Sequence, residues 1–558
     1  VCHCNGGLDG LIDTAQVAAH TQRLWGVALA QVVEDACTPE GLAAIEKAIA
    51  DGQLNRVVIA GCSSRLYTAE FEGLMDRAGL DPRLMERANL REQCVYVHDD
   101  PEAATAKAQD LVAMAVAKLA EMRGLEALGA HVAQPVQQRV LVIGGGLAGM
   151  TAALNLAGQG IAVDLVERES ELGGQLRHIH YLFDPETDPQ AFLASTIAQV
   201  EGNDLINVHR QAGVKKLEGT KGSYRSVVGR VGNPSTMLRT GSSEEVELEH
   251  GAVIVATGGQ EAKPQEYLYG QDPRVITQRE LEKRLAEGQK PPSSVVMIQC
   301  VGSREPERPY CSRICCTQAI KNALKIKEQS PETDVYILYR EVRTYGFREQ
   351  YYQQARDQGV AFIRYELPDK PQVSADGDRL QVRVTEPILK GELALDADLV
   401  VLSVGITPND NRALAEILEV PLNEDGFFQE DHPKMRPLDF TRAGIFLSGL
   451  AHSPHFLDET IAQASGAAMR AAALLAPAEF ADKPEVVTVN ERLCSFCGLC
   501  VSICPYGARV MDYESRVAQV IDVLCQGCGN CAMVCPNKAT QQKAFEPRQM
   551  MAMIDAAI

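Results

Sequence analysis

Eight cysteines near the C-terminal end repeat one pattern: Cys494-x2-Cys497-x2-Cys500-x3-Cys504-Pro505, then Cys525-x2-Cys528-x2-Cys531-x3-Cys535-Pro536. Three thiolates in a tight loop can each meet one iron of a cubane. The proline after the fourth cysteine ends the loop and starts the return segment. The spacing predicts two [4Fe–4S] clusters with exchanged fourth ligands. One takes Cys494, Cys497, Cys500 and Cys535; the other takes Cys525, Cys528, Cys531 and Cys504. Structural zinc sites rarely use two such paired runs.

A second chemistry sits at RVLVIGGGLAGMTAALNLAGQGIAVDLVERE, which reads as strand, glycine turn, helix and a second strand ending in an acid. Gly144 permits the tight turn, Gly146 lets backbone approach a pyrophosphate, and Gly149 lets the helix pack on the strand. Amides at the helix N-terminus hold the phosphates, and Glu167, 18 residues after Gly149, is placed to accept from ribose hydroxyls. Three later segments favour FAD over NAD. ELGGQL supplies Gly173, Gly174 and Gln175, VIVATGG supplies Thr257 and Gly258, and GIFLSGL with TIAQASGAAMRAA supplies Gly449 and a flavin-facing helix. These segments resemble, in the same order, those of flavoproteins with two dinucleotide-binding domains. One departure is Leu450, which follows Gly449 where such proteins usually carry an aspartate.

In those flavoproteins a second nucleotide unit binds NAD(P)H, and its strand ends in a GxG turn. Here the strand SSVVMIQ runs into CVGSREPERPYCSRICC, which keeps one glycine and spaces Cys300, Cys311, Cys315 and Cys316 by ten, three and no residues. The pyrophosphate loses its turn, while four thiols match the four irons of one more cubane. The adjacent Cys315–Cys316 pair also permits a redox dithiol. Lys321 lies five residues past Cys316 on the predicted helix CCTQAIKNALKIKE. It is a candidate cation beside the flavin, where it would stabilise an anionic reduced ring; a solvated lysine beside Lys325 and Lys327 is the plainer reading.

Five cysteines remain: Cys2, Cys4, Cys37, Cys62 and Cys94. Cys2 and Cys4 end an expected first strand, Cys37 follows the expected strand LAQVVED, and Cys62 ends RVVIAG. Ligands collect at the C-terminal ends of parallel strands, so these sites can converge on a fourth cubane. The expected ligand set is Cys4, Cys37, Cys62 and Cys94, although Cys94 precedes the expected strand CVYVHD instead of ending one. Buried structural thiols are the alternative.

These groups must be held by α/β elements. Residues 1–128 alternate short β-branched runs with amphipathic helices and end in a long Ala-rich helix over 102–128. Residues 129–138 read as a linker. Strand and helix patterns then alternate through 139–483, as in a doubly wound parallel sheet. Residues 484–545 form the Cys-rich module, and 546–558 a short apolar tail, expected to be helical and to pack on its own chain. The fold class is therefore α/β: a small N-terminal Rossmann-like domain, a thioredoxin-reductase-like FAD domain with two Rossmann units, and a C-terminal 2[4Fe–4S] ferredoxin domain.

The chain of 558 residues is 46% hydrophobic and 23% charged, a globular composition with ample core. A net charge of −20 argues against nucleic acid. Nothing reaches the roughly 18 uninterrupted apolar residues of a membrane span. The chain opens at Val1 inside an apparent strand, so a few residues are expected to precede it. Seventeen cysteines gathered in clusters point to metal instead of a disulfide scaffold, and so to a reducing, cytoplasmic compartment.

CVGSREPERPYCSRICC, GGGLAGMTAALNLAGQG, SVGITPN and the two C-terminal cysteine runs resemble the A subunit of heterodisulfide reductase and its bacterial relatives. VCHC, GCSSRLYTAEF and ANLREQC match that family's leading domain, so the resemblance covers nearly the whole chain. It implies FAD, a cluster on Cys300–Cys316, a flavin-adjacent lysine at Lys321, and a cytosolic assembly that can bifurcate electrons. Implied partners are subunits like the B and C subunits of heterodisulfide reductase, or hydrogenase- or dehydrogenase-linking subunits, together with free ferredoxin and a second copy of the chain. Many archaeal members insert another ferredoxin module after the first flavin segment. This chain has no cysteine between Cys94 and Cys300, so it resembles a shorter, bacterial-type member. The expected function is a flavin- and iron–sulfur-dependent electron-transfer subunit. A stand-alone NAD(P)H:ferredoxin oxidoreductase and a passive electron relay are the other two classes.

Overall fold

Ala252–Val255 forms an interior strand of a five-stranded parallel sheet because its four side chains are all apolar and all fully buried, as strands covered on both faces require. The computed structural model describes residues 1–8, 10–123, 134–230, 245–388, 390–480, 486–522 and 524–558. It divides into two compact units, one of residues 134–480 and one joining 1–133 to 481–558.

In the 134–480 unit, the first sheet has the order Ile445–Leu447, Ala252–Val255, Arg139–Ile143, Ala162–Glu167, Ile206–Arg210, all parallel. A second parallel sheet runs Val275–Thr277, Leu399–Leu402, Ser294–Ile298, Asp334–Tyr339, Ala361–Arg364. Each sheet has a three-stranded antiparallel companion, and Gly259–Glu261 pairs with Ile406–Pro408. Helices Leu147–Ala157 and Leu457–Leu475 pack together in the apolar core of the first sheet, while Cys315–Gln329 covers the second. The crossovers put two glycine- or cysteine-bearing loops at the C-terminal edges of the sheets, after Ile143 and after Ile298.

In the other unit, Val57–Gly61 pairs in parallel with Met85–Asn89. Helix Pro39–Gly52 starts where Thr38 accepts from the Gly41 N–H, with proline at its first position; Pro101–Ala120 starts in the same way at Asp100. The expected strand CVYVHD is absent: Arg91–Val95 is a single wide helical turn, and the partner of Val57–Gly61 comes earlier, from Met85–Asn89. LAQVVED makes one isolated bridge, Cys2 to Val33. β-branched residues give both segments strand-like composition, but a strand also needs a free neighbouring edge.

The cysteine-rich part has two antiparallel pairs, Val487–Val489 with Thr540–Gln542 and Arg509–Asp512 with Val517–Val520. Short helices Leu499–Ser502 and Asn530–Val534 each begin at a left-handed glycine, Gly498 and Gly529, so the two runs are related in backbone as well as in sequence. The C-terminal residues Pro547–Ala557 form a helix that packs on Pro101–Ala120, with Lys118 Nζ 4.8 Å from the centre of the Phe545 ring. The expected linker lies partly outside the described residues; Gln134–Pro135 pairs with Glu479–Phe480. No helix among the described residues is long and apolar enough to cross a membrane.

Candidate redox centres

At the glycine loop, the turn is enforced sterically. A Cβ on Gly144, whose φ is +112°, would lie 2.2 Å from the Ala256 carbonyl oxygen, and one on Gly149 would lie 1.8 Å from the Gly144 carbonyl oxygen. Gly146 instead has open space at its Cβ position, with nothing nearer than the Gly174 Cα at 3.9 Å, and it starts helix Leu147–Ala157 without a side-chain cap. The open cradle and uncapped amides suit a pyrophosphate. Gly173 donates to the Gly145 carbonyl at 2.8 Å, which brings the second glycine pair onto the first. Glu167 accepts from the backbone N–H of Gly145 at 2.7 Å and of Glu169 at 2.8 Å, so its carboxylate braces the loop itself.

The other expected flavin residues lie around this edge. Gln175 donates to the Gly259 carbonyl at 2.8 Å and accepts from Arg279. Thr257 donates to Asn411 Oδ1, its carbonyl accepts from Asn409 at 2.7 Å, and Gly258 (φ +75°) has open space at its Cβ position. Gly449 (φ +68°) donates to Gln463 Oε1 at 3.0 Å and approaches helix Leu147–Ala157 so closely that a Cβ would sit 2.8 Å from that of Ala148. Asn409, Asn411 and Gln463 were not among the expected site residues. Asn409 closes SVGITPN, a motif whose polar ending was its one signal.

Cys300, Cys311, Cys315 and Cys316 line a single narrow recess, with Ser303, Arg304, Arg313, Glu341 and Arg343. The loop is pinned from both sides. Ser312 Oγ accepts from the Ile406 N–H at 2.9 Å, and Arg308 donates to the Val301 and Val404 carbonyls. Burial pushes all three of Cys300, Cys315 and Cys316 upward, Cys316 to about 11, and their mutual charges add to this. Three like thiolates in one dry pocket need cationic compensation, which irons supply. Two lining donors are buried with no partner, Arg304 Nη1 and Ser303 Oγ. Arg304 also reaches the Cys300 sulfur, and a donor and a cation beside four thiols fit a sulfide-bearing cluster. Arg304 and Arg343 share Glu341 at 3.0 and 2.7 Å, and the Arg313 N–H reaches Cys311 Sγ at 3.3 Å.

Lys321 is buried. Its ammonium lies 2.8 Å from Glu282 Oε1, donates to the Tyr181 carbonyl at 2.9 Å and stands 4.6 Å from the centre of the Tyr181 ring. Glu282 also accepts from the His180 N–H at 2.8 Å. Desolvation pulls Lys321 below the ordinary lysine value, against the pull of Glu282. The lysine is thus not solvated; it clamps the segment that follows Gly173–Gly174.

In the ferredoxin-like part, Cys500, Cys525 and Cys531 are buried, while Cys497 and Cys528 are exposed. Desolvation raises the Cys531 thiol, and the neighbours that raise it further are Cys525, Cys504 and Cys528. Cys504 of the first run thus stands among the three cysteines of the second. Cys535 is held below the usual thiol value: desolvation opposes ionisation, but backbone N–H groups of Thr540, Ala539 and Asn537 outweigh it.

In the N-terminal part, Cys4 Sγ lies 3.2 Å from Cys2 Sγ, and this hydrogen bond draws Cys2 down to about 6. Cys37 feels Cys2 and Cys62; Arg91 feels Cys4 and Cys62; Arg87 donates to Cys62 Sγ at 3.4 Å. Cys94 differs. It is fully buried in an apolar cluster with Leu8, Ile12 and Leu90, and the charged groups acting on it are Lys107 and Asp110. Cys2, Cys4, Cys37 and Cys62 thus act on one another or on shared arginines, and Cys4 also packs against the apolar cluster that holds Cys94. Among the described residues no three His, Cys, Asp or Glu side chains converge as a single metal ion requires; a cubane spreads its four thiolates over separate irons.

Residues 138–470 match the family model of pyridine nucleotide-disulphide oxidoreductases, and 493–539 that of 4Fe-4S dicluster domains. The second iron-sulfur A subunit of CoB--CoM heterodisulfide reductase from Methanopyrus kandleri is 36% identical, covering 91% of this chain and 90% of its own. The A subunit of the H(2):CoB-CoM heterodisulfide,ferredoxin reductase from Methanothermobacter thermautotrophicus is 33% identical, covering 100% and 96%. Among solved structures, thioredoxin reductase from T. acidophilum covers 61% of this chain and 98% of its own at 17% identity and a TM-score of 0.41.

Proposed function

The chain belongs to the family of heterodisulfide reductase A subunits, whose members are flavin- and iron–sulfur-dependent electron-transfer oxidoreductase subunits, and from that premise we propose a specific electron layout. FAD is held by Gly144, Gly146, Gly149, Glu167, Gly173, Gly174, Gln175, Thr257, Gly258 and Gly449, and exchanges two electrons with a partner. Four [4Fe–4S] clusters take them one at a time: two in the ferredoxin module, one on Cys300, Cys311, Cys315 and Cys316, and one in the N-terminal part. Lys321 and Glu282 set the charge beside the flavin. The chain works in the cytoplasm as a homodimer within a larger complex, joined to subunits like the B and C subunits of heterodisulfide reductase, and divides electrons between two branches.

The observation that supports this most is the recess after Ile298. Where a nicotinamide-binding strand would turn on glycines, four thiols line one cavity together with Arg304, Arg313 and Arg343. Iron and sulfide analysis of the reconstituted chain tests it. Four cubanes hold about 16 irons, and Cys316→Ala should lose about four. Undiminished iron in that variant sinks the middle cluster. Rapid reduction of the isolated chain's flavin by NADH would instead favour a stand-alone NAD(P)H oxidoreductase.

A further inference from the structure

Arg313 occupies a left-handed backbone conformation, φ +64°, which a non-glycine residue adopts at some cost. The turn separates its two ends. Its N–H faces Cys311 Sγ at 3.3 Å, inside the cysteine loop. Its guanidinium leaves the loop for another element, donating to Glu459 Oε1 at 2.6 Å, to the Pro454 carbonyl at 3.4 Å and to the Tyr345 hydroxyl. Glu459 sits in the first turn of helix Leu457–Leu475, and its second oxygen accepts from the Phe456 N–H at 2.9 Å, closing that helix N-terminus. The same helix carries Gln463, which holds Gly449. One residue therefore ties the cysteine loop to the helix that supports the expected flavin site, across 146 positions of sequence.

The three arginines lining the recess are not equivalent. Arg304 and Arg343 share the carboxylate of Glu341, whereas Arg313 is balanced by Glu459. A cluster gains one negative charge with each electron and takes no proton. A fixed cation stabilises the reduced form and raises its potential; a fixed anion does the reverse. We propose that Arg313 is a positioning residue that docks the cysteine loop on the first turn of helix Leu457–Leu475 and, with Glu459, sets the potential of the cluster held there. The proposal rests on the cluster reading above.

The test uses the full chain with its clusters, titrated with dithionite under EPR, and iron content measured in parallel. Arg313→Gln should shift the midpoint of the signal lost in Cys316→Ala to more negative potential. Arg313→Lys, which keeps the charge, should restore most of that shift. Glu459→Gln should move the midpoint the opposite way. An unmoved midpoint in Arg313→Gln, or shifts of the same sign in Arg313→Gln and Glu459→Gln, overturns the proposal. If Arg313→Gln fails to hold the cluster, Glu459→Gln decides alone: an upward shift supports the proposal, and none overturns it. If Cys316→Ala loses neither iron nor signal, the cluster reading itself falls.

Discussion

Lys321 Nζ and Glu282 Oε1 lie 2.8 Å apart, and the glutamate side chain is 1% exposed. Removing one partner of a buried pair leaves an uncompensated charge, at a cost of about 3–5 kcal/mol. Lys321→Ala should therefore lower the denaturant midpoint of the 134–480 unit substantially. Lys321→Met combined with Glu282→Gln should recover most of the loss. If the lysine acts only as a clamp, that double variant regains the flavin's reduction rate as well. A slow flavin in a restored fold assigns the lysine a redox role.

Glu261 ends the strand Gly259–Glu261, and desolvation, with Glu280 and Glu282 nearby, raises its carboxyl from 4.5 to about 7 against hydrogen bonds from Thr277 and the Arg279 N–H. Between these values the folded chain binds more protons than the unfolded one, so stability is full below 4.5 and falls as pH rises through 7. The loss amounts to at most about 3 kcal/mol, because each tenfold change in proton affinity is worth ~1.4 kcal/mol. Glu261→Gln should flatten the stability profile across that window, as read by urea denaturation at a series of pH values.

The N-terminal thiols separate two ligand sets. Cys2→Ser should cost about four irons, one cubane's worth. Cys94→Ser should leave iron unchanged and lower stability alone, because Cys94 is packed among Leu8, Ile12 and Leu90. Loss of iron in Cys94→Ser with none in Cys2→Ser would restore the set expected from sequence.

Crossed ligation in the ferredoxin module makes a non-additive prediction. Cys504→Ala and Cys525→Ala strike one cluster, so the double variant should lose about as much iron as either single one, roughly four atoms. Cys504→Ala with Cys494→Ala strikes two, and should lose about eight. The reverse result, about eight atoms lost from the first pair and about four from the second, would mean that each run closes its own cluster.

The sites legible in the sequence are those whose chemistry demands fixed local spacing. Gly144, Gly146 and Gly149 must lie within one turn, because a Cβ at the first or last would collide with backbone at 2.2 or 1.8 Å. The runs from Cys494 and Cys525 must wrap a cubane within a few residues, and both do so through a left-handed glycine. The parallel α/β class followed from apolar runs of strand length separated by helical ones. CVYVHD misled because β-branched composition marks residues that suit a strand, not an available neighbour.

The cofactors this chain is built for are written in its sequence, since cysteine and glycine spacings are properties of adjacent residues. Which side chains meet is a matter of packing. Packing set Glu282 against Lys321 and joined Arg313 to Glu459. These partners lie dozens of positions apart in different elements. No local preference couples them; the sheets and helices bring them together only when the fold closes.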